Sequence, residues 1–249
     1  MAVLALDTSA SVAVAVVSDD GARLARRDAP ERRRHAEALA PLVEEALAEA
    51  GVERSELTAI AVGTGPAPFT GLRVGLVTAR ALGLALRIPV LGVPSLDAIA
   101  AQAVSDLGLE PDDELLVASD ARRREVYWAR YRVVAHEGPQ AVPVLETVAG
   151  PDVGPAASVV EHAAGAVVVG EGAELYPDAF DAADDAPQVP DAAVLARLAI
   201  ARRAAGADQP TEPLYLRRPD VHEAPARKRA SDASTPTPAT ATATGEGAR

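Results

Sequence analysis

The chain reads as an α/β protein whose mixed sheets are covered by helices, built from two structurally related halves. Three observations carry that reading. Short apolar runs alternate with longer helical patterns along most of the 249 residues, the alternation that generates α/β architectures. The arrangement in LALDTSASVAVAV (4–16) returns in VASDARRREVYWA (117–129): an apolar strand ends in an aspartate and a second strand starts five to six residues later. Finally, a loop rich in glycine and proline, GTGPAPFTG (63–71), separates an apolar strand from a long apolar helix.

In order along the chain, 2–6 and 12–17 are apolar strands joined by the polar turn Asp7-Thr8-Ser9-Ala10-Ser11, and a third strand covers 22–28. A helix follows over 33–50, ended by Gly51. Its apolar stripe is Leu39, Leu42, Val43, Ala46, Leu47 and Ala50, with most glutamates off it. Pro41 lies inside the pattern and predicts a kink or a later start. Strand 57–62, the 63–71 loop and a helix over 71–87 come next, then a strand at 90–93 and a helix at 96–107. Pro111-Asp112-Asp113-Glu114 reads as a linker or turn before strands 115–119 and 125–134. A later strand at 166–170 and a helix at 192–205 complete the second half. The expected organisation is therefore a half over 1–109, a smaller half over 110–219, and a disordered tail over 220–249. That tail is small, polar and rich in Pro and Thr, with too little apolar surface to offset the entropy of ordering. Arg227-Lys228-Arg229 at its root reads as a solvated charge cluster.

Composition excludes several function classes. Lys and Arg number 24 against 36 Asp and Glu, a formal net charge of −12. Gripping an RNA backbone needs a basic face, which this balance does not favour. Cysteine is absent, so disulfides and thiolate metal sites are excluded. No apolar run reads as long enough to cross a bilayer, and the N-terminus reads as a strand rather than a signal peptide. A cytoplasmic protein is expected.

Few residues are placed for chemistry. The 63–71 loop meets a helix N-terminus, where unpaired N–H groups can hold an anion, or it is only a stiff strand-to-helix connection; no Gly-Lys-Ser/Thr closes it as a P-loop. None of His35, His136, His162 and His222 pair at i, i+4, so no HxxxH or HExxH metal motif can be written, and His35 reads as a surface or interface residue. Asp7 and Asp120 each end a strand and read as turn caps. The turn after Asp7 lacks a glycine for close approach of a phosphate, and the turn after Asp120 is bulky and charged. Gly170-Glu171-Gly172 reads as a strand-to-helix connection. Tyr127, Ala129, Tyr131 and Val133 share one face of their strand and Trp128, Arg130 and Arg132 the other. An aromatic with arginines can stack a base, but sheet packing with a solvated basic face is the expected outcome. Helix 71–87 is apolar nearly all round and must be covered on more than one side.

The run Gly65-Pro66-Ala67-Pro68-Phe69-Thr70-Gly71-Leu72-Arg73-Val74-Gly75 resembles the GPGSFTGLRIG signature of the TsaB family, accessory subunits of bacterial tRNA threonylcarbamoyladenosine biosynthesis. LALDTS (4–9), the His35 to Leu47 helix, DARRREVYWARY (120–131) and PLYLR (213–217) extend the resemblance to about Pro219. The family's usual Gly-Ser is Ala67-Pro68 here, which stiffens the loop and removes a hydroxyl. The resemblance implies a duplicated actin-like fold of the sugar kinase and Hsp70 type. It implies a non-catalytic scaffold, without cofactor or metal, that binds the threonylcarbamoyl transferase paralogue (TsaD-like). Through that pair it would reach the small pathway ATPase (TsaE-like), with tRNA met only in the complex and a homodimer open to the chain alone. The implied partner patch is Leu39, Val43 and Leu47 with Val74, Val77, Thr78 and Ala81, beside the signature residues Gly65, Pro66, Phe69, Thr70, Gly71 and Arg73. The transferase paralogue holds its metal with an HxxxH pair, so the lack of one here argues against this chain being the transferase, or a homodimeric metallopeptidase-like protein. The competing expectation is a small actin-like ATPase or kinase using Asp7 and Asp120.

Overall fold

A computed structural model describes residues 1–29 and 35–217. The expected tail over 220–249, with Arg227-Lys228-Arg229 and His222, and the first two residues of the helix expected from 33 lie outside the described residues. So does the side chain of His35.

Two sheets share one plan. The first is made of β1 (Ala2–Asp7), β2 (Ala13–Ser18), β3 (Arg23–Asp28), β4 (Leu57–Gly63) and β5 (Val90–Val93), in the order β3-β2-β1-β4-β5. Between β3 and β4 lies α1 (His35–Ala50), and between β4 and β5 lies α2 (Phe69–Leu86). The second sheet, β8-β7-β6-β9, follows α3 (Ser95–Leu107). It is built from β6 (Glu114–Asp120), β7 (Glu125–Ala135), β8 (Val144–Pro155) and β9 (Val167–Val169), with α4 (Ala156–Ala163) before β9. α5 (Glu171–Leu175) and α6 (Ala192–Ala204) are the last helices among the described residues. In each sheet the first strand pairs antiparallel with the second, the second antiparallel with the third, and the first parallel with a later strand. The repeated strand–turn–strand pattern of the sequence is thus a repeated topology.

Strands buried on both faces read as continuous apolar runs, and β1 shows why. Val3 and Ala5 face one layer with α6 and part of α3, while Ala2, Leu4 and Leu6 face the other with α1 and α2. α3 also turns Leu96, Ile99, Ala100, Ala103 and Val104 onto the second sheet, whose opposite face is covered by α4 and α5. α6 lies late in the chain but packs on the first sheet. Asp191 caps it, accepting from the Ala193 and Val194 N–H groups at 2.6 and 3.2 Å, and Arg26 of β3 binds the same carboxylate.

Several expectations shift. α1 runs through Pro41, which faces solvent. α2 begins at Phe69, two residues before Gly71, with Pro68 at its N-cap. β8 was not expected at all: its Gly150, Pro151, Gly154 and Pro155 read as loop, and the strand survives because it is an edge whose missing donors can face solvent. α2 also corrects the expectation that no run is long enough for a bilayer, since its 18 residues meet that test by length and composition. Here it is the crossover between two parallel strands of one sheet, with Leu72, Gly75, Leu76, Ala79 and Gly83 buried.

Candidate functional site

The turn after β1 is built around buried polar groups. The Ser9 N–H and hydroxyl both donate to Asp7 Oδ1, at 2.7 and 2.6 Å, so Asp7 does fold its own turn. Its Oδ2 accepts from the Ser95 hydroxyl of α3 at 2.6 Å, and Ser95 Oγ accepts in turn from the Gly65 N–H at 3.2 Å. The Ser95 N–H donates to the Gly65 carbonyl at 2.8 Å. Gly63 must be glycine here, because a Cβ would stand 1.8 Å from Asp7 Oδ2. Thr8 is committed as well: its hydroxyl donates to the Gly71 carbonyl at 2.9 Å and accepts from the Gly75 N–H at 3.1 Å, on the first turns of α2. A Cβ at Gly75 would come within 2.6 Å of that hydroxyl.

The turn after β6 mirrors this one. The Arg122 N–H donates to Asp120 Oδ1 at 2.8 Å, and its guanidinium lies 3.0 Å from Oδ2. Gly170-Glu171-Gly172 is the expected connection, from β9 into α5, and backs onto Ala118 so closely that a Cβ at Gly170 would lie 2.3 Å from its carbonyl oxygen. The two turns line one cleft of about 110 Å³ together with Pro66, Pro68 and Glu171. Sites for drug-sized ligands run from roughly 300 to 1,000 Å³, so this cleft is small by comparison. Among the described residues no three His, Asp or Glu side chains converge as metal donors.

The signature loop splits into buried and bare parts. Gly65 and Pro66 are buried, and Ala67 turns its methyl group into the core between the sheet and α2. Phe69 and Thr70 are exposed, Gly71 is half-buried, and Arg73 lies over the Phe69 ring with Cζ 3.5 Å from its centroid. Tyr215 joins them, its ring 4.7 Å from that of Phe69 and its hydroxyl accepting from Arg73 Nε at 3.0 Å. Sequence reasoning missed this use of Tyr215, 142 residues away from Arg73. The segment carrying it is a strap. The Gly92 N–H donates to the Gln209 carbonyl, Arg80 holds Thr211, the Leu214 N–H donates to the Thr64 carbonyl, and Arg217 donates to the Ala121 carbonyl. Only glycine at 92 lets the strap cross, since a Cβ there would meet the Pro210 carbonyl at 1.9 Å.

Of the expected partner patch, the α2 part is at the surface. Val77 is 64% exposed, Ala81 is exposed, and Val74 and Thr78 are half-buried; Leu84, on the same face, is 83% exposed. Leu39, Val43 and Leu47 are not on this surface. They point from α1 into the core with Leu4, Leu6 and Leu72, because the outer face of the sheet needs cover and the apolar stripe of α1 supplies it. α1 instead shows Ala40, Glu44 and Ala48 to solvent. The face with Trp128 is packed, as expected, but its Arg130 is tied to the fold rather than solvated. Trp128 is buried against α4 with the His162 ring stacked 4.3 Å away, and Arg130 donates to the His162 and Ala164 carbonyls at the end of α4. Neither residue is open to a base.

Comparison with known proteins identifies the family. Residues 29–216 match the family described as TsaD: tRNA N6-adenosine threonylcarbamoyltransferase. An uncharacterized Mycobacterium tuberculosis protein is 43% identical over 222 residues, 88% of this chain and 93% of that protein. The Escherichia coli tRNA threonylcarbamoyladenosine biosynthesis protein TsaB is 34% identical over 132 residues, 53% of this chain and 55% of that protein. The crystal structure of a Pseudomonas aeruginosa protein described by its similarity to peptidase YeaZ superposes with a TM-score of 0.71 at 32% identity, covering 87% of this chain and 99% of that one. With the family model matching about three quarters of this chain and the TsaB signature seated at the start of α2, the chain belongs to the TsaB family.

Proposed function

We propose that the chain serves tRNA threonylcarbamoyladenosine biosynthesis as a non-catalytic scaffold, binding the threonylcarbamoyl transferase paralogue through the bare face of α2. Through that pair it reaches the small pathway ATPase, and tRNA meets it only in the complex. The first half (1–109) carries the contact helix, and the second (110–219) supports it and adds Tyr215 at its start. A second copy takes the same face when the transferase is absent. The cytoplasm is its compartment, in keeping with a chain that has no cysteine.

One observation carries the proposal: Val77, Ala81 and Leu84 make an exposed apolar stripe at helical spacing on α2. Contiguous apolar surface of this kind marks interaction sites. Phe69, Arg73 and Tyr215 extend it at the helix start, and aromatic residues with arginine are the side chains that dominate binding energy at interfaces. Support for a non-catalytic role comes from the cleft. Thr8 and Asp120 are already engaged within the fold, and the space of about 110 Å³ is small. The competing ATPase or kinase reading is tested by calorimetric titration of the isolated chain with ATP and magnesium.

The interface is tested by Val77→Glu. Its side chain is exposed, so the variant folds with an unchanged melting temperature, while a charge buried without a partner at the contact abolishes co-elution with the transferase. A folded variant that still co-elutes shows that α2 is not the contact.

A further inference from the structure

A second cavity, of about 330 Å³, opens on the far side of the first sheet, between α3, α6 and the β7–β8 arm. An engineered apolar cavity of about 150 Å³ holds a benzene molecule, so this one has room for a substituted ring. Its walls are mostly apolar: Val144 and Leu145 from the arm, Leu198 and Ala201 from α6. At one end stands a polar relay. The Tyr131 hydroxyl donates to Asp97 Oδ1 at 2.8 Å, and Arg202 Nη2 donates to Asp97 Oδ2 at 2.6 Å. Burial pushes the Tyr131 phenol well above its usual range, so it stays a neutral donor. The arm beside the cavity is held in costly backbone: Gln140 and Ala141 both take left-handed φ values, 63° and 52°, without being glycine.

The chemistry of the relay selects a ligand. Asp97 neutralises Arg202, so the end of the cavity has no net positive charge. A ligand carboxylate would sit close to the Asp97 carboxylate and be repelled, in a chain whose net charge is already −12. A pure hydrocarbon would strip water from Arg202 Nε and Nη1, which bond to no other described residue, and give nothing back. We infer that the cavity framed by Tyr131, Asp97 and Arg202 is a binding site for a small neutral molecule with an apolar ring or branched chain and one carbonyl acceptor, an amide or ester. The carbonyl accepts from Arg202 and the apolar part lies against Leu145 and Leu198. This site is on the opposite face of the sheet from α2 and does not depend on the scaffold reading.

The test is a titration of the full chain with phenylacetamide, followed by the methyl NMR signals of Leu145 and Leu198. Phenylacetate and propylbenzene serve as probes of like size. Phenylacetamide is expected to shift both residues, with the other two binding at least about tenfold more weakly. Ala201→Trp fills the cavity and abolishes the shifts; should it fail to fold, Ala205→Trp at the exposed rim replaces it. No shift with phenylacetamide, shifts that persist in the filled variant, or tighter binding of phenylacetate would each overturn the inference.

Discussion

Gly63, Thr8 and Ser95 show how single atoms fix the geometry between β4 and α2. Asp7 is buried, and its carboxylate is held by Ser9 on one oxygen and Ser95 on the other. Gly63→Ala forces a methyl group into the space of Asp7 Oδ2. Overpacking of this kind costs about 1–3 kcal/mol, and urea unfolding should show that loss without a change in secondary structure. The glycines and prolines of this loop were legible in the sequence because each is restricted by its own covalent geometry. Ser95 and Thr8 were not, since their role comes from partners 88 and 63 residues away. The same holds for Leu39, Val43 and Leu47: an amphipathic stripe tells which residues share a face, not whether sheet or partner covers it.

Among elements, α2 and the β6–β7 hairpin illustrate two kinds of exposure. α2 keeps apolar side chains in water, while the hairpin protects its charges by pairing them. Glu114 at the start of β6 accepts from Arg130 Nε at 2.6 Å and from Arg132 Nη2 at 2.8 Å, and these bonds hold its pKa below the ordinary 4.5. A carboxylate with a lowered folded-state pKa adds stability that is present above about pH 4.5 and is lost as pH falls toward the folded value. Glu114→Gln is therefore expected to lower the urea midpoint near neutral pH. The difference from the natural chain should vanish as pH falls through the folded pKa, so a difference that grows in acid would contradict the pairing. Most strands and helices were legible as elements, the strands as short continuous apolar runs and the helices as longer apolar stripes. β8 was not, because an edge strand tolerates the proline and glycine that signal a loop.

For the whole molecule, the duplicated plan was readable from two strand–turn–strand segments, and four strands of each sheet repeat it, with β5 the extra strand of the first. What linear order hid is the way the later chain returns: α6 packs on the first sheet, and the 207–217 strap crosses Gly92, Thr64 and α2. These late segments brace the loop and helix proposed to face the partner. That surface is the central claim, and light scattering after size exclusion tests it most directly. The chain is run alone and then mixed with the transferase paralogue of its own organism. A mixed peak whose mass is that of a one-to-one pair, or a dimer of such pairs, is the predicted result; two proteins that elute separately, with nucleotide present or absent, would contradict it.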